Sequence, residues 1–374
     1  MHILVAPGAF KNSLTATAAA QIIARGLKRS GLEAEFTLLP IADGGNGTLD
    51  AFLATGGDRI SKTVLGPLGE EIEAAFGLID NGRTAVIEMA LASGLELLPA
   101  NKLDAMRTTT YGTGQLLQAA LDAGVERVII GMGGSATVDG GAGCMQALGV
   151  RFLDADGREI GHGGGALDQV ARVDVSALDP RWRDVDVIIA ADVDNPVLGE
   201  RGAAYVFGPQ KGATPQQVER LEANLTHFFT LIAEQLGVDV RNAAGGGAAG
   251  GLAAGLMAFL GGHIVPGLDL LCQFNGFDAH LQQADLVITG EGRMDEQTIY
   301  GKGPFGVAQR AHAAGVPAVA LVGGLAVDDA VLHEAGLQAV LPIVNAPMPL
   351  EQALRQAETL LEQAALRLGY LLAI

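Results

Sequence analysis

Cysteine is scarce in this sequence, and its scarcity argues against two kinds of structural site. The two cysteines, Cys144 and Cys272, do not form a Cys-x-x-Cys pair, and the seven histidines show no His-Glu-x-x-His spacing. A disulfide framework or a zinc site built on these residues is therefore not expected. Because 49% of the residues are hydrophobic, the chain can instead be stabilised by a sizeable buried core.

Positive charge is also limited. The sequence has 24 lysines and arginines against 42 aspartates and glutamates, which gives a net charge of −18. This excess of negative charge argues against non-specific binding to nucleic acid or to a membrane surface. If the substrates are anionic, a few placed cations must attract them.

Long hydrophobic runs are nearly absent. Residues 245–264 form a stretch of twenty residues without a formal charge, but eight of them are glycine. This composition is typical of a closely packed helix rather than of a membrane span. The first residues, MHILVAPGAF, lack the basic and long apolar segments of a secretory signal peptide. We expect a soluble, cytoplasmic protein with no membrane partner.

The hydrophobic pattern of the 374 residues indicates two α/β domains. A β-α-β-α order at the start of the chain is typical of a parallel sheet covered by helices, and it gives way near residue 60 to short strands joined by turns. The alternation returns after residue 284. We predict a discontinuous, doubly wound parallel-sheet domain of flavodoxin-like or Rossmann-like type, made of residues 1–60 plus 285–374. Residues 61–284 are predicted to form a second, inserted α/β domain.

One loop is unusually rich in glycine. The sequence GMGGSATVDGGAG, residues 131–143, follows the apolar run RVII and contains six glycines. Glycine lets backbone N–H groups approach phosphate oxygens closely, and a following helix N-terminus adds positive potential. The residues predicted to bind a nucleotide here are Gly133, Gly134, Ser135, Thr137 and Asp139, the last through a magnesium ion or a ribose. The alternative is a tight strand-to-helix turn in which Asp139 caps the helix.

The same loop suggests a rival function. Residues 131–136 match the dinucleotide fingerprint G-x-G-x-x-A, although residues 139–141 delay the helix that should start within it. A nicotinamide-dependent oxidoreductase would need Asp154 or Asp156 to bind the ribose. A non-catalytic nucleotide sensor is a further alternative, but it would not need so many carboxylates in loops.

Several apolar strands end in carboxylates, and cations lie in loops punctuated by glycine or proline. The carboxylates are Asp43, Asp192, Asp194, Glu291 and Asp295, and the cations are Lys11, Lys211, Arg293 and Lys302. Magnesium takes one or two carboxylates together with nucleotide phosphate oxygens, and cations neutralise a phosphoryl group in transfer. A carboxylate can also accept the proton of the attacking hydroxyl. The set predicts magnesium-assisted phosphoryl transfer.

Individual roles follow from residue type. Asp192 and Asp295 are predicted to bind magnesium with Glu291 behind them, and Arg293 and Lys302 are assigned to the nucleotide. Lys11, Asp43 and Asp192 are the predicted catalytic residues, with Lys11 holding an anionic group and Asp43 a hydroxyl. Each residue also has a structural alternative. Lys11 would then be a solvated loop lysine, and Asp43 and Asp192 would be turn residues. Glu291 and Arg293 would form a surface ion pair.

Six segments, taken in order, resemble the bacterial glycerate kinase family, the branch distinct from the animal-type enzymes. They are APGAFKNSLTA (6–16), PIADGGNGT (40–48), GMGGSATVDGGAG (131–143), ADVDNPVLGERGAAYVFGPQKGA (191–213), GGGAAGGLAAGL (245–256) and ADLVITGEGRMDEQTIYGKGP (284–304). Asn46 and Asn12 depart from residues common in the family at these positions. The resemblance covers essentially the whole chain.

The resemblance implies ATP-dependent phosphorylation of D-glycerate with magnesium, and it favours 2-phosphoglycerate as the product. It also implies two α/β domains, one of them discontinuous, with the active site in the cleft between them. It does not settle the roles of individual residues. The oligomeric state stays open.

Overall fold

The computed structural model describes residues 1–295 and 303–374, which form a mixed α/β structure. The strands are β1 (His2–Val5), β2 (Glu35–Leu38), β3 (Asp58–Leu65), β4 (Glu71–Ile79), β5 (Thr84–Glu88), β6 (Arg127–Gly131), β7 (Arg151–Leu153), β8 (Arg172–Asp174), β9 (Asp186–Ala190), β10 (His263–Val265), β11 (Leu286–Glu291), β12 (Ala318–Val322) and β13 (Leu337–Pro342). The helices are α1 (Ala16–Arg29), α2 (Thr48–Leu53), α3 (Ala90–Ser93), α4 (Tyr111–Asp122), α5 (Ala142–Ala147), α6 (Ala203–Phe207), α7 (Pro215–Leu236), α8 (Leu252–Leu260), α9 (Gly267–Asn275), α10 (Phe277–Leu281), α11 (Pro304–Ala313), α12 (Asp329–Glu334), α13 (Leu350–Arg355) and α14 (Ala357–Leu372). The predicted fold class is confirmed.

The chain divides into two compact units. The first unit contains residues 1–43, 50–56 and 267–374, and the second contains residues 44–49 and 57–266. Compared with the predicted boundaries, residues 267–284 lie in the first unit, and residues 44–49 and 57–60 lie in the second. Contacts within each unit explain this difference. The ring of Phe274 lies 5.3 Å from that of Phe52, whereas Glu88 of the second unit accepts hydrogen bonds from the amides of Gly47 and Leu49.

The first unit is built on a five-stranded parallel sheet in the order β13-β12-β11-β1-β2. Ile3 of β1 pairs with Leu286 of β11 on one side and with Phe36 of β2 on the other. From β1 the chain proceeds to β2 at one edge, whereas β11, β12 and β13 proceed toward the opposite edge. The strand order therefore reverses between β1 and β11, which is the position where ligands bind in open sheets of this type.

Helix α1 shows how local sequence signals set an element boundary in the first unit. The Thr15 hydroxyl accepts a hydrogen bond from the Ala18 amide at 3.1 Å, so the helix has a capped N-terminus. Lys28 and Arg29 lie in the last turn, where their positive charges interact favourably with the negative end of the helix dipole. Ile23 and Leu27 are fully buried in the core of this unit. These local signals agree with the observed bounds of α1.

The second unit contains a six-stranded sheet in the order β10-β9-β6-β5-β4-β3. Strands β3, β4 and β5 run antiparallel because tight turns join them. Strands β5, β6, β9 and β10 run parallel, and helix α4 makes the crossover from β5 to β6. Strands β7 and β8 form a separate antiparallel pair.

Helix α7 is the longest helix of the second unit among the described residues, and it begins with a capping box. The Thr214 hydroxyl accepts from the Gln217 amide at 3.3 Å, and the Gln217 side chain accepts from the Thr214 amide at 2.8 Å. Its buried Phe228 ring lies edge-on to Phe152, with the ring centroids 5.0 Å apart.

The glycine-rich stretch 245–264 contains helix α8, which has nine residues. None of the helices in the described ranges combines the length and the apolar character that crossing a membrane requires. The stretch packs within the core of the second unit, where Leu252 and Leu256 are fully buried.

Candidate active site

In the first unit, the loops after β1 and β11 lie against each other at the point where the strand order reverses. The Gly8 amide donates to the Gly290 carbonyl at 2.8 Å. A Cβ atom on Gly292 would lie 2.9 Å from the backbone nitrogen of Lys11, so a larger residue at this position would force the loops apart. The structure thus brings Lys11 beside the segment that contains Glu291, and the Lys11 side chain is exposed.

The other predicted residues of the first unit lie close to Glu291 in sequence or in the loop after the neighbouring strand β2. Nε of Arg293 lies 3.4 Å from Oδ2 of Asp295, and the Arg293 side chain is exposed. Glu291 and Asp295 are half-buried. Asp43 is half-buried in the loop after β2, the strand that neighbours β1. Lys302 lies outside the described residues.

In the second unit, three strand ends meet at one edge of the sheet, and predicted residues follow two of them, β6 and β9. Gly131 at the end of β6 pairs with Glu88 of β5 on one side and with Ala190 of β9 on the other. Asp192 is half-buried and follows Ala190 by two residues. The glycine-rich loop therefore begins between Glu88 and the segment that contains Asp192.

The glycines of this loop are required for packing between loops. The Gly133 amide donates to the Gly44 carbonyl at 2.8 Å, and a Cβ atom on Gly133 would lie 2.4 Å from Cα of Gly45. Gly134 has φ of +75°, and a Cβ atom there would lie 2.1 Å from the Asn46 side chain. The two glycine-bearing segments, residues 44–47 and 131–134, are thus packed backbone against backbone.

The far end of the loop packs in the same way. The Gly140 amide donates to the Gly250 carbonyl at 3.0 Å. Gly250 has φ of +67°, and a Cβ atom there would lie 1.9 Å from the Thr137 carbonyl oxygen. Much of the bare backbone therefore serves contacts between loops. Gly134 is exposed and stays accessible.

Asp139 is fully buried, and its carboxylate accepts four hydrogen bonds. The donors to Oδ2 are the Thr110 amide at 2.8 Å, the Thr110 hydroxyl at 2.9 Å and the Gly143 amide at 3.3 Å. The Gly141 amide donates to Oδ1 at 3.1 Å. Burial raises the pKa of the Asp139 carboxyl, and these hydrogen bonds oppose the increase. These bonds tie the glycine-rich loop to Thr110, and the contact between Asp139 and a nucleotide or its metal stays a prediction.

Ser135 and Thr137 are both buried, and Lys211 connects them. Nζ of Lys211 donates to Oγ of Ser135 and to the carbonyl oxygen of Thr137, each at 2.7 Å. Lys211 is 2% exposed, which is unusual for a lysine. Burial lowers the pKa of Lys211 to about 7, and the nearby Asp139 carboxylate opposes the decrease. The Lys211 side chain is thus held against the glycine-rich loop, where the Asp139 carboxylate acts on its charge.

The sequence interpretation missed Glu88. This carboxylate is 4% exposed and accepts hydrogen bonds from the Gly47 amide at 3.1 Å and from the Leu49 amide at 3.2 Å. It holds the loop that packs against residues 131–134. The signal that could have found it is the one that singled out Asp192, a carboxylate at the end of an apolar strand.

Glu88→Gln is expected to lower the free energy of unfolding by about 1–3 kcal/mol, because the new amide group would face backbone N–H donors left unsatisfied. Glu96→Gln is the matched control, since Glu96 is exposed in the same unit. Urea unfolding of both variants measures the difference. Equal stability of the two variants would mean that Glu88 does not hold the loop.

Asp194, a few residues from Asp192, has a different environment. Both of its carboxylate oxygens lie 2.9 Å from the Arg201 guanidinium, and both side chains are exposed. This pairing lowers the pKa of the Asp194 carboxyl. Asp194 is therefore a surface partner of Arg201 and a suitable control for its neighbour.

The dinucleotide alternative requires a helix that starts within residues 131–136. Helix α5 instead begins at Ala142 and has six residues. In residues 1–295 and 303–374, no group of three or more His, Cys, Asp or Glu side chains is arranged to hold a metal ion. The predicted ligands Asp192, Glu291 and Asp295 stay a prediction.

Comparison with known proteins identifies the family. The family model described as "Glycerate kinase family" matches residues 3–373. A glycerate kinase from Halalkalibacterium halodurans is 50% identical over 97% of this chain and 96% of its own. A glycerate 2-kinase from Escherichia coli K12 is 44% identical over 100% of this chain and 98% of its own.

A crystal structure from Salmonella typhimurium LT2, described as a candidate glycerate kinase 2, is also similar to this chain. It superposes with a TM-score of 0.87 at 45% identity and covers 100% of this chain and 98% of its own. This chain is therefore similar to glycerate kinases in both sequence and fold over its whole length. The chain is an enzyme and belongs to the glycerate kinase family.

Proposed function

We propose that this enzyme transfers the γ-phosphoryl group of ATP to a hydroxyl of D-glycerate. The observation that carries this proposal is the match of residues 3–373 to the glycerate kinase family. Relatives named glycerate kinase also match this chain over nearly their full length. The 2-hydroxyl is the proposed acceptor, and the name glycerate 2-kinase of the Escherichia coli relative supports this choice.

The proposed glycerate-binding residues lie in the first unit. Glycerate has a carboxylate and two hydroxyls, so its site needs a cation and a group that accepts a hydroxyl proton. Lys11 supplies an exposed ammonium at the reversal of strand order. Asp43, in the loop after the neighbouring strand β2, is proposed to accept the proton of the attacking hydroxyl.

The proposed phosphate-binding residues lie mainly in the second unit. The Gly133 amide already donates to Gly44, so the proposed phosphate donors are the backbone of the exposed Gly134 and the hydroxyl of its neighbour Ser135. We propose that Thr137 and Asp139, which are fully buried, support these groups from beneath. Arg293, with an exposed guanidinium, is proposed to neutralise phosphate charge. Lys302 keeps the same proposed role.

Magnesium is the proposed metal, and the donor chemistry of the first unit fits it. Glu291 and Asp295 offer carboxylate oxygens at the end of β11, and magnesium commonly takes one or two carboxylates plus phosphate oxygens. Asp192 of the second unit is the third proposed ligand. When bound, the ion would neutralise the charge of the nucleotide phosphates.

An assay of ADP release with ATP, magnesium and D-glycerate tests this function. ADP release is expected to depend on D-glycerate and to be lost when EDTA removes the divalent cation, since the phosphate charge is then no longer neutralised. Restoring excess magnesium should restore the rate. Release that is independent of glycerate, or that persists in EDTA, would contradict the proposal.

A further inference from the structure

The buried Lys211 has no assigned role in the proposed reaction. It ends the short turn Pro209–Lys211 after α6, and its side chain reaches beneath the loop formed by residues 131–143. Burying an ammonium is unfavourable unless hydrogen bonds compensate for the lost water. Its two hydrogen bonds go to Ser135 and to the Thr137 carbonyl, in the loop proposed to bind phosphate.

The direction of the bond to Ser135 determines what the hydroxyl can do. In its protonated form Lys211 has only donors, so Oγ of Ser135 accepts from Nζ, and the hydroxyl proton points elsewhere. Within the described ranges, that hydroxyl donates no hydrogen bond to another protein group, and its side-chain partner is Lys211. Ser135 is 7% exposed and follows the exposed Gly134. No protein group therefore accepts its proton within these ranges.

The backbone around Ser135 is fixed independently of Lys211. The Ala136 amide donates to the Ser93 carbonyl at 2.9 Å, and the Leu95 amide donates to the Gly134 carbonyl at 2.8 Å. Removing the Lys211 side chain should therefore change the orientation and polarity of the hydroxyl more than the path of the chain.

We propose that Lys211 is a positioning residue, which orients and polarises the Ser135 hydroxyl so that it donates to a phosphate oxygen of the nucleotide. This inference rests on the proposed function, because it takes the nucleotide as the anion. A hydroxyl that accepts from an ammonium is a stronger donor to an anion than an isolated hydroxyl, because hydrogen bonds in a chain polarise one another. Lys211 acts through Ser135 and does not touch the nucleotide.

A double-mutant cycle on ATP affinity tests the inference. Ser135→Ala, Lys211→Met and the double variant are compared with the unmodified enzyme by calorimetric titration with magnesium and ATP. Each single change is expected to weaken ATP binding about tenfold, as loss of a charge-assisted hydrogen bond does. The double variant should bind as weakly as either single variant, because both changes remove the same contact. Lys102→Met, which removes an exposed lysine of the same unit, should leave affinity unchanged.

If the two changes act independently, the double variant should bind ATP about 100-fold more weakly than the unmodified enzyme. That result would overturn the inferred coupling between Lys211 and Ser135. Wild-type affinity in Ser135→Ala would overturn the inference even if Lys211→Met did not fold. If Lys211→Met does not fold, weakened ATP affinity of Ser135→Ala with an unchanged melting temperature would support the inference. Failure of the proposed function is distinguishable, because an enzyme that binds ATP but does not phosphorylate D-glycerate fails the ADP-release assay while the affinity cycle keeps its result.

Discussion

Asp192→Asn and Asp295→Asn are each expected to lower glycerate-dependent ADP release by at least about 100-fold, the scale on which enzymes lose activity when a group that stabilises transition-state charge is removed. Both carboxylates lie in segments that follow strand ends, Asp192 after β9 and Asp295 after β11. If they hold magnesium, removing the charge should also raise the magnesium concentration that gives half-maximal activity. ADP release across a magnesium series measures both effects.

Stability should respond little to either change. The ion pair between Asp295 and Arg293 spans 3.4 Å with an exposed arginine, and such pairs contribute at most about 1 kcal/mol. Thermal unfolding without metal should therefore leave both variants near the unmodified protein. Asp194→Asn is the matched control, since Asp194 lies in the same loop as Asp192 but pairs with Arg201, and it should keep full activity. Lost stability with retained turnover in Asp192→Asn and Asp295→Asn would assign them to turns rather than to the active site.

Lys11→Ala is expected to lower kcat/KM for D-glycerate by at least about tenfold, because a hydrogen bond to a charged group contributes about 1.5–3 kcal/mol. The larger part of the change should be in KM for glycerate if Lys11 binds the carboxylate equally in the ground and transition states. Steady-state kinetics with varied D-glycerate at saturating ATP separates the two parameters.

Lys28→Ala provides the control for Lys11. Lys28 is also an exposed lysine of the first unit, but it lies in the last turn of α1, whereas Lys11 precedes that helix. Its replacement should leave kcat/KM within about twofold of the unmodified value. If Lys11→Ala behaves like Lys28→Ala, Lys11 is a solvated loop lysine and another cation must bind the substrate carboxylate.

Much of the fold could be predicted from the sequence because the apolar strands have clear boundaries. The runs HILV and LVIT are largely buried and pair in one parallel sheet, even though about three quarters of the chain separates them. The unit boundaries were harder, since residues 267–284 form short helices whose hydrophobic pattern does not show which core they join. Only contacts such as that between Phe52 and Phe274 decide this.

The candidate site was less predictable. A glycine that lets a phosphate approach and a glycine that lets another loop approach look the same in sequence, and Gly250, beside the Thr137 carbonyl, belongs to the second kind. The burial of Asp139 and Lys211 could not be predicted from the sequence either, because charged residues in loops are usually solvated. Their hydrogen-bond partners Thr110 and Ser135 lie 29 and 76 positions away along the chain.

The most direct test of the proposed reaction follows the phosphorus atom itself. The enzyme is incubated with ATP, magnesium and D-glycerate, and phosphorus NMR follows the γ-phosphoryl group as it leaves the nucleotide. The expected result is loss of the γ signal matched by a phosphate monoester of glycerate, with 2-phosphoglycerate as the product. Release of inorganic phosphate instead, or no consumption of ATP, would contradict phosphoryl transfer to glycerate by this enzyme.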